Sequence, residues 1–213
     1  LHCDFNQGFG MTETTSTATI LNAQQHREIK NLATVGKPML GIRVRIMNDG
    51  GQECKINEIG EIIIKGPTVM KGYNDPNLTA SVIRDGWYYT GDLGYFDEEG
   101  FLHLVDRKCN MIISGGENIY PKEIVECIRS MGEVISEVEV VGVPDDQWGE
   151  SIMAVVVKSA ESSISAQDII DHCKKNLASY KKPGYIYFLD KLPRNESGKI
   201  VKEELKKIHA LSI

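Results

Sequence analysis

The sequence predicts an α+β fold, in which a β-rich first half is followed by a small α+β module. Between residues 40 and 105, short apolar runs alternate with polar residues and are separated by turn signals, which is typical of strands. After Arg107, β-branched runs alternate with segments of helical periodicity, which indicates mixed strands and helices. We therefore predict two domains, residues 1–108 and 109–213, with the boundary near Cys109.

Composition restricts the class of protein. The 213 residues carry a formal net charge of −6, which argues against a general nucleic-acid binder. Because no stretch of 18 uncharged apolar residues occurs, no transmembrane segment is predicted. The first four residues show no initiator Met or signal-peptide pattern, and the five cysteines never have CxxC spacing. We expect a cytoplasmic protein with reduced thiols, no disulfide framework and no zinc site.

The first half is expected to be a small all-β unit that follows an irregular start. Residues 7–10 form a glycine-rich sequence that predicts a loop, and the Thr/Ser cluster after it favours loops or helix starts. Alternation predicts a strand at 42–46, and the Asn-Asp-Gly-Gly sequence at 48–51 predicts a turn. A second strand is predicted at 59–64, and residues 97–100 are predicted to form a tight hairpin.

The second half is expected to have the order β-α-β-β-α-β-α. Pro121 suits the first turn of a helix, where its missing N–H costs nothing. Ser165 and Asp168 resemble a capping box, which predicts a helix through Leu177. Further strands are predicted at 111–113, 138–143 and 152–157, and a last helix at about 201–208.

The first candidate site is the sequence Gln7-Gly8-Phe9-Gly10-Met11-Thr12-Glu13. Two glycines that flank an aromatic residue allow the backbone to approach a flat ligand while the ring stacks on it. The Thr12 hydroxyl and the Glu13 carboxylate suit phosphate oxygens and a hard cation. The alternative is an ordinary turn with a helix N-cap at Thr12.

Two more candidates are single charged residues beside predicted strands. Asp92 follows a glycine in Tyr89-Thr90-Gly91-Asp92, and a carboxylate there suits the two vicinal hydroxyls of a ribose. Its alternative is an Asx turn. Arg107 ends a strand near the boundary, and its guanidinium forks onto pairs of oxygen atoms. Its alternative is a surface salt bridge.

The remaining candidates lie in the second half. Gly115 and Gly116 follow a strand and allow a groove free of side chains, or a plain turn. Lys199 follows Gly198 in a polar loop, where a mobile ammonium group is able to neutralise phosphate and carboxylate oxygens together, unless it is simply solvated. Residues 174–207 hold ten Lys/Arg against four Asp/Glu, a patch that either attracts a phosphorylated cofactor or forms a solvated face.

Taken in order, these motifs resemble the adenylate-forming superfamily, which includes acyl-CoA synthetases, peptide-synthetase adenylation domains and luciferases. The resemblance covers nearly the whole chain and is closest to fatty-acid-type acyl-CoA ligases. The motifs that carry it are GFGMTET, VMKGYNDP, GWYYTGDLGYFDEEGFLHLVDRK, MIISGGENIYPKEIVE, VVGVPDDQWGE and LPRNESGKI.

The resemblance implies a role for each matching residue. Gly8, Phe9, Gly10, Met11 and Thr12 would contact ATP or AMP, with Phe9 on the adenine, and Glu13 would bind Mg²⁺. Asp92 would accept the ribose hydroxyls, with Arg107 as its partner, and Lys199 would be the catalytic lysine of adenylation. Gly115, Gly116 and Lys181 would contact CoA, and Cys109 would be the hinge. Cys109 and Asn110 depart from the charged residues usual there, and Phe9 replaces a tyrosine.

The implied reaction consumes ATP, a carboxylic acid, which we expect to be a fatty acid, and CoA. The acid attacks the α-phosphate to give an acyl-adenylate, and the CoA thiol then takes the acyl group, while the small domain swings between the two steps. The phosphate loop of the superfamily does not occur in the sequence, so we expect the C-terminal portion of a longer synthetase, inactive by itself without its N-terminal part. Two alternatives remain: an adenylation domain that loads a carrier protein, and a non-catalytic nucleotide-binding module.

Overall fold

The structure is a computed structural model that describes residues 3–210. It divides into two compact units, Leu1–Cys109 and Asn110–Ile213, so the division falls one residue after the predicted boundary. The outer ends of the two predicted domains, residues 1–2 and 211–213, lie outside the described residues. Strands and helices occur in both units, so the predicted α+β class is confirmed.

The first unit contains two antiparallel sheets and two short helices. One sheet has three strands in the order β1-β2-β3, and the other has the order β4-β5-β7-β6, with β8 paired to β7. The elements are β1 (Gln7–Phe9), β2 (Thr19–Leu21), α1 (Ala23–His26), β3 (Lys37–Pro38), β4 (Arg43–Met47), β5 (Gly60–Lys65), α2 (Pro76–Val82), β6 (Ile83–Arg84), β7 (Trp87–Phe96) and β8 (Leu102–Arg107).

The strands β4, β5 and the β7–β8 hairpin confirm the alternation predicted in this half. Two expectations were wrong. The unit is not all-β, because α1 and α2 lie between its strands. The glycine-rich sequence at residues 7–10 is not wholly a loop, because Gly8 pairs with Ile20 of β2 and makes the segment a strand. A contact twelve residues away supplies the hydrogen bonds that local sequence does not reveal.

The second unit is one five-stranded sheet with three helices. The order is β10-β9-β12-β11, and β13 pairs in parallel with β12. One strand, β10, was not predicted, and it forms a hairpin with β9. The elements are β9 (Ile112–Ser114), β10 (Glu117–Ile119), α3 (Pro121–Arg129), β11 (Ile135–Asp145), β12 (Gly149–Lys158), α4 (Ala166–Asn176), β13 (Tyr185–Phe188) and α5 (Lys202–Ala210).

Both faces of this second sheet are covered by apolar side chains. Along β12, Ile152 and Ala154 pack in one core cluster with residues of α3 and α4, whereas Met153 and Val155 pack in another with Leu205 of α5. Burial on both faces explains why this strand is a continuous apolar run rather than an alternating one. Within residues 3–210, no helix is both long and apolar enough to cross a membrane.

Candidate active site

The first unit contains a cavity of about 550 Å³ above the sheet of β4, β5, β7 and β6. Its wall combines charged groups, hydroxyls and backbone from separate segments. Of the residues that the sequence predicted to bind nucleotide or metal, Met11, Glu13 and Arg107 line it. The other lining residues are Met47, Asn48, Asp49, Gly51, Glu61, Tyr73, Ser81, Val82, Arg84, Tyr88, Tyr89, Thr90, Gly91 and Lys108.

A tight turn after β1 places Glu13 in the cavity wall. Residues Thr12–Thr14 form one turn of 3₁₀ helix, and the buried Thr14 hydroxyl donates to the Met11 carbonyl and accepts from the Met11 N–H, both at 3.1 Å. The N-cap position belongs to Met11, so the alternative that made Thr12 an N-cap is wrong. Gly10 is required here, because a Cβ at that position would lie 1.6 Å from the Ser16 carbonyl oxygen.

The other predicted residues of this motif lie outside the cavity wall. Gly8 and Phe9 belong to β1, and the half-buried Phe9 ring packs against the core cluster that contains Ala18 and Leu102. Thr12 is exposed at the first position of the turn. The structure therefore brings Met11 and Glu13 to the cavity, whereas the aromatic ring predicted to stack on adenine faces the core.

Asp92 and Arg107 meet because the β7–β8 register places them directly opposite each other. Arg107 Nε lies 3.2 Å from Asp92 Oδ1, and the Arg107 and Asp92 side chains are 67% and 13% exposed. Burial raises the pKa of the Asp92 carboxyl, and the Arg107 guanidinium opposes that shift. The carboxylate is thus largely removed from water but paired, while the guanidinium reaches into the cavity.

The loop before Asp92 is fixed to β5. The Asp92 N–H donates to Thr90 Oγ1 at 3.0 Å, and the Thr90 hydroxyl donates to the Ile62 carbonyl at 2.8 Å. The Gly91 N–H donates to Glu61 at 3.2 Å. The Asp92 side chain forms a cross-strand ion pair with Arg107. The hydrogen bonds of the loop fix the backbone at Asp92, and the ion pair orients its carboxylate.

A second ion pair lies beside the predicted hinge. Lys108 Nζ contacts Asp49 at 2.8 Å and Glu61 at 3.3 Å. The same Glu61 carboxylate accepts from the Gly91 N–H, so it links the Asp92 loop to the residue before Cys109. Cys109 is exposed within a 3₁₀ turn, Lys108–Asn110. Sequence reasoning did not identify Glu61 or Lys108, which carry no signal beyond their charge.

Two tyrosines in the cavity were also missed. The Tyr73 hydroxyl donates to Glu13 Oε1 at 2.6 Å, and the buried Tyr88 lines the same cavity. The hydrogen bond to Glu13 raises the pKa of Tyr73, and burial raises the pKa of Tyr88. Tyr73 belongs to VMKGYNDP and Tyr88 to GWYYTGDLG, so both motifs were noted, but only as part of the resemblance.

In the second unit, Gly115 and Gly116 form the turn between β9 and β10. Both have left-handed backbone, with φ of +60° and +86°. Gly115 also lines a cavity of about 540 Å³ whose wall includes Trp148, Tyr180 and Lys182. The Gly115 N–H donates to the Trp148 carbonyl at 2.9 Å, and a Cβ at Gly115 would lie 3.0 Å from the indole. The two glycines form the turn that was the alternative here, and Gly115 also lines a cavity whose aromatic wall the sequence did not reveal.

Lys181, predicted to contact CoA, does not line this cavity. Its ammonium group lies 2.6 and 2.9 Å from the two oxygens of the Glu123 carboxylate on α3, and its side chain is 18% exposed. The neighbouring Lys182 is exposed and lines the cavity beside Gly115. The structure thus gives Lys181 an ion pair within the fold and leaves Lys182 as the basic group of this cavity.

Lys199 is exposed at the end of a loop whose backbone is fixed. The Asn195 side-chain oxygen accepts from the N–H groups of Ser197 and Lys199, at 3.1 and 2.9 Å. Arg194 also ion-pairs with Glu137 of β11. Among residues 3–210, the Lys199 ammonium group makes no ion pair. Hydrogen bonds therefore hold the backbone of this loop, and the exposed Lys199 side chain extends from it.

The basic patch at 174–207 is only partly available to a ligand. Five of its ten cations pair with carboxylates, which leaves the others, Lys199 among them, as its available charges within the described chain. The pairs are Lys174–Asp171, Lys181–Glu123, Arg194–Glu137, Lys202–Glu139 and Lys206–Glu203.

Comparisons with known proteins agree with these features. Residues 1–74 match the family model described as AMP-binding enzyme, and residues 125–199 match the model described as AMP-binding enzyme C-terminal domain. A curated relative from Geobacillus sp. (strain WCH70), named 2-succinylbenzoate–CoA ligase, is 43% identical over 203 residues, which are 95% of this chain and 40% of the relative. The chain thus spans about 40% of the length of the curated relatives it matches.

Solved structures of similar enzymes also match most of this chain. The o-succinylbenzoate CoA synthetase (MenE) of Bacillus subtilis, in complex with the acyl-adenylate intermediate OSB-AMP, is 42% identical with a TM-score of 0.86, over 94% of this chain and 40% of that chain. The same enzyme in complex with ATP and magnesium ion is 41% identical with a TM-score of 0.84, over 94% and 41%. These relatives are named for an aromatic acid, so they do not support the predicted fatty-acid substrate.

Proposed function

The chain belongs to the adenylate-forming superfamily of AMP-binding enzymes, and from this premise we propose that it is the C-terminal part of an ATP-dependent acid–CoA ligase. The acid we propose is an aromatic carboxylic acid of the 2-succinylbenzoate type, because the similar ligases are named for that substrate. The observation that carries the proposal is the Asp92–Arg107 pair beside the cavity that Glu13 lines.

The cavity of the first unit suits a nucleotide. A half-buried carboxylate fixed by Arg107 is a ready acceptor for two ribose hydroxyls, because its orientation is set before the ligand arrives. The exposed face of the Arg107 guanidinium suits phosphate oxygens. We assign the ribose to Asp92 and the phosphates to the side of the cavity that Arg107 lines.

Whether the cavity suits Mg²⁺ depends on the oxygen ligands that its side chains offer. Among residues 3–210 no group of three His, Cys, Asp or Glu side chains is placed to hold a metal. Glu13 offers one carboxylate in the wall, and Mg²⁺ in nucleotide enzymes is commonly held by one or two carboxylates together with substrate phosphates. The residues therefore fit a Mg²⁺ that arrives with ATP, and such an ion supplies positive charge against the phosphate oxygens.

In the first half-reaction, an oxygen of the substrate carboxylate attacks the α-phosphorus of ATP, and the bond to pyrophosphate breaks. Two anions must approach each other, so the step needs positive charge placed between them. We assign this charge to Lys199, whose ammonium group projects from a fixed loop and makes no ion pair in the described chain. Arg107 adds charge on the nucleotide side.

In the second half-reaction, the CoA thiol attacks the acyl carbonyl and AMP leaves. We assign the narrow arm of CoA to the cavity beside Gly115 and Gly116, where Trp148 and Tyr180 offer aromatic surface and Lys182 offers charge. We further propose that the second unit changes its placement between the two steps about Cys109. We place the enzyme in the cytoplasm, where a reducing environment suits the free thiol at this hinge.

The test is a product analysis with the full-length protein, ATP, Mg²⁺ and CoA. We expect AMP, pyrophosphate and an acyl-CoA in equal amounts with 2-succinylbenzoate, and none of these with a long-chain fatty acid. Acid-dependent AMP without acyl-CoA, but with acyl transfer to a phosphopantetheine protein, would instead identify a carrier-loading enzyme. Failure to bind AMP in calorimetry would leave a non-catalytic module and overturn the proposal.

A further inference from the structure

Glu13 is held from one side by the segment at residues 68–73. The Tyr73 hydroxyl donates to Glu13 Oε1 at 2.6 Å, and the Met70 N–H donates to the Glu13 carbonyl at 2.8 Å. The Thr15 hydroxyl donates to the Thr68 carbonyl at 2.8 Å. Side chain and backbone of Glu13 are therefore both fixed by one neighbouring segment.

Tyr73 itself is fixed from two directions. Its N–H donates to Thr79 Oγ1 at 2.8 Å, so the start of α2 holds its backbone. Its hydroxyl has a single hydrogen, which goes to Glu13 Oε1. Tyr88 is only 5% exposed on β7 and also lines the cavity. The result is a fixed path from α2 through Tyr73 to Glu13 Oε1, with the buried Tyr88 in the same cavity wall.

This path leaves the two Glu13 oxygens unequal. Oε1 accepts from Tyr73, whereas Oε2 has no hydrogen-bond partner within residues 3–210. Mg²⁺ demands near-ideal octahedral geometry, whereas the larger Ca²⁺ readily accepts a carboxylate through both oxygens. A carboxylate whose one oxygen is already engaged offers a metal one oxygen at low cost and two only after the Tyr73 bond is broken.

We propose that Tyr73 determines the metal specificity of this site by holding Glu13 as a one-oxygen ligand, which favours Mg²⁺ over Ca²⁺. The proposal rests on the proposed function, because it takes Glu13 as the metal carboxylate. Tyr73 is a positioning residue, because it acts on the metal only through Glu13. Removing the Tyr73 hydroxyl frees Oε1 and lets Glu13 rotate to present both oxygens.

The experiment compares Tyr73→Phe, Tyr88→Phe and wild type in the full-length protein. Calorimetry measures the affinity for a non-hydrolysable ATP analogue with Mg²⁺ alone, with Ca²⁺ alone, and for AMP without metal. Because loss of a partner that orients a metal ligand costs about 10- to 100-fold in metal affinity, we expect Tyr73→Phe to weaken Mg²⁺-dependent binding about tenfold. We expect Ca²⁺-dependent binding to be kept or improved, and AMP binding without metal to be unchanged.

The matched control is Tyr95→Phe, which removes a hydroxyl from the same strand as Tyr88 at a residue that stacks on His103 outside the cavity. It should keep the wild-type metal preference, and Tyr88→Phe should show a smaller change in the same direction as Tyr73→Phe. Circular dichroism checks folding, and Tyr88→Phe tests the same cavity wall if Tyr73→Phe unfolds.

The results distinguish failure of the Tyr73 assignment from failure of the proposed function. If wild type binds the analogue in a metal-dependent way and Tyr73→Phe keeps the same Mg²⁺ to Ca²⁺ ratio, the assignment of Tyr73 is wrong and the proposed function stands. If wild type shows no metal-dependent nucleotide binding, both are wrong. An equal loss with Mg²⁺, with Ca²⁺ and without metal would show a merely structural role and overturn the assignment.

Discussion

At the scale of a single residue, the proposed ribose binding by Asp92 needs its ionised form, whereas burial disfavours that form. Binding ribose hydroxyls needs an ionised carboxylate, but burial raises the pKa of that carboxyl, and the exposed Arg107 only partly opposes the shift. A carboxyl whose pKa is higher in the folded than in the unfolded state stabilises the fold below the unfolded pKa. That contribution is lost as the pH rises through the folded pKa.

We therefore expect Asp92→Asn to raise the melting temperature at pH 7, because a neutral amide replaces a desolvated charge. The gain should disappear as the pH falls below about 3.9, where the carboxyl is protonated in both states. Affinity for AMP should fall about tenfold, since hydrogen bonds to a charged group are worth about 1.5–3 kcal/mol. Thermal melts against pH, with calorimetry, test this.

The control for this change is Glu98→Gln, which removes an exposed carboxylate from the β7–β8 turn. It should leave both the melting temperature at pH 7 and the AMP affinity close to wild type. If Asp92→Asn is less stable than wild type at pH 7, attraction to Arg107 outweighs burial, contrary to our expectation for this carboxyl.

Gly115 has left-handed backbone and lines the second cavity, so a side chain there would affect both the backbone and the cavity. A side chain there needs left-handed backbone, which costs about 1–2 kcal/mol for a residue other than glycine. Its Cβ would also approach the Trp148 indole at 3.0 Å, in the wall of the second cavity. We expect Gly115→Ala to slow acyl transfer from acyl-AMP to CoA while acid-dependent ATP–pyrophosphate exchange is kept.

Gly132→Ala is the matched control, because Gly132 has φ of +83° and a Cβ added there would meet no atom within 4 Å. It should lose similar stability yet transfer the acyl group normally. Equal transfer by the two variants would show that the turn at Gly115 does not contact CoA.

At the scale of elements, sequence patterns predicted the structure that depends on hydrogen bonds between residues close together in the chain. The helix α4 begins where the capping box predicts, because Ser165 and Asp168 satisfy each other's N–H groups. By contrast, β1 and β10 are strands only because they pair with β2 and β9. Each has only three residues, and β1 contains a glycine, so sequence patterns missed both strands.

The α4 cap gives a direct test. We expect Ser165→Ala to lower the free energy of unfolding by about 1 kcal/mol, because the Asp168 N–H loses its acceptor. Ser163→Ala, in the same loop and exposed, should change it by less than about 0.5 kcal/mol. Chemical denaturation of the second unit measures both. Equal effects would mean that the cap does not stabilise α4.

In the candidate site too, residues within a single motif were predicted, whereas contacts between residues far apart in the sequence were not. Glu13, Asp92, Arg107 and Lys199 lie in motifs that are informative as runs of sequence. Tyr73 lies 60 residues from Glu13, so no pattern along the chain reveals their hydrogen bond. The ion pair of Lys181 was missed for a related reason, since its partner Glu123 lies 58 residues away on α3.

At the scale of the whole molecule, each unit has its own core. The two clusters of the second unit draw only on residues 112–208, and the main cluster of the first unit draws on residues 9–104. We expect residues 110–213 alone to fold and unfold cooperatively, with native near-ultraviolet circular dichroism. Strong binding of a hydrophobic dye and loss of that signal would contradict this expectation.

The first unit differs in its exposed apolar surface. Leu40 is fully exposed and Ile29 is 85% exposed. The matched region covers only 40% of the length of a curated relative. If the chain is part of a longer ligase, as we propose, catalysis is best measured in the full-length protein.

The most direct test of the proposed chemistry is the effect of Lys199→Gln on the two half-reactions of the full-length protein. Loss of a preorganised charge at the reacting groups should lower acid-dependent ATP–pyrophosphate exchange by about a hundredfold or more. Conversion of supplied acyl-AMP and CoA to acyl-CoA should continue, and Lys207→Gln, an exposed lysine on α5, should retain both activities. Undiminished exchange by Lys199→Gln would contradict the assignment of adenylation to this lysine.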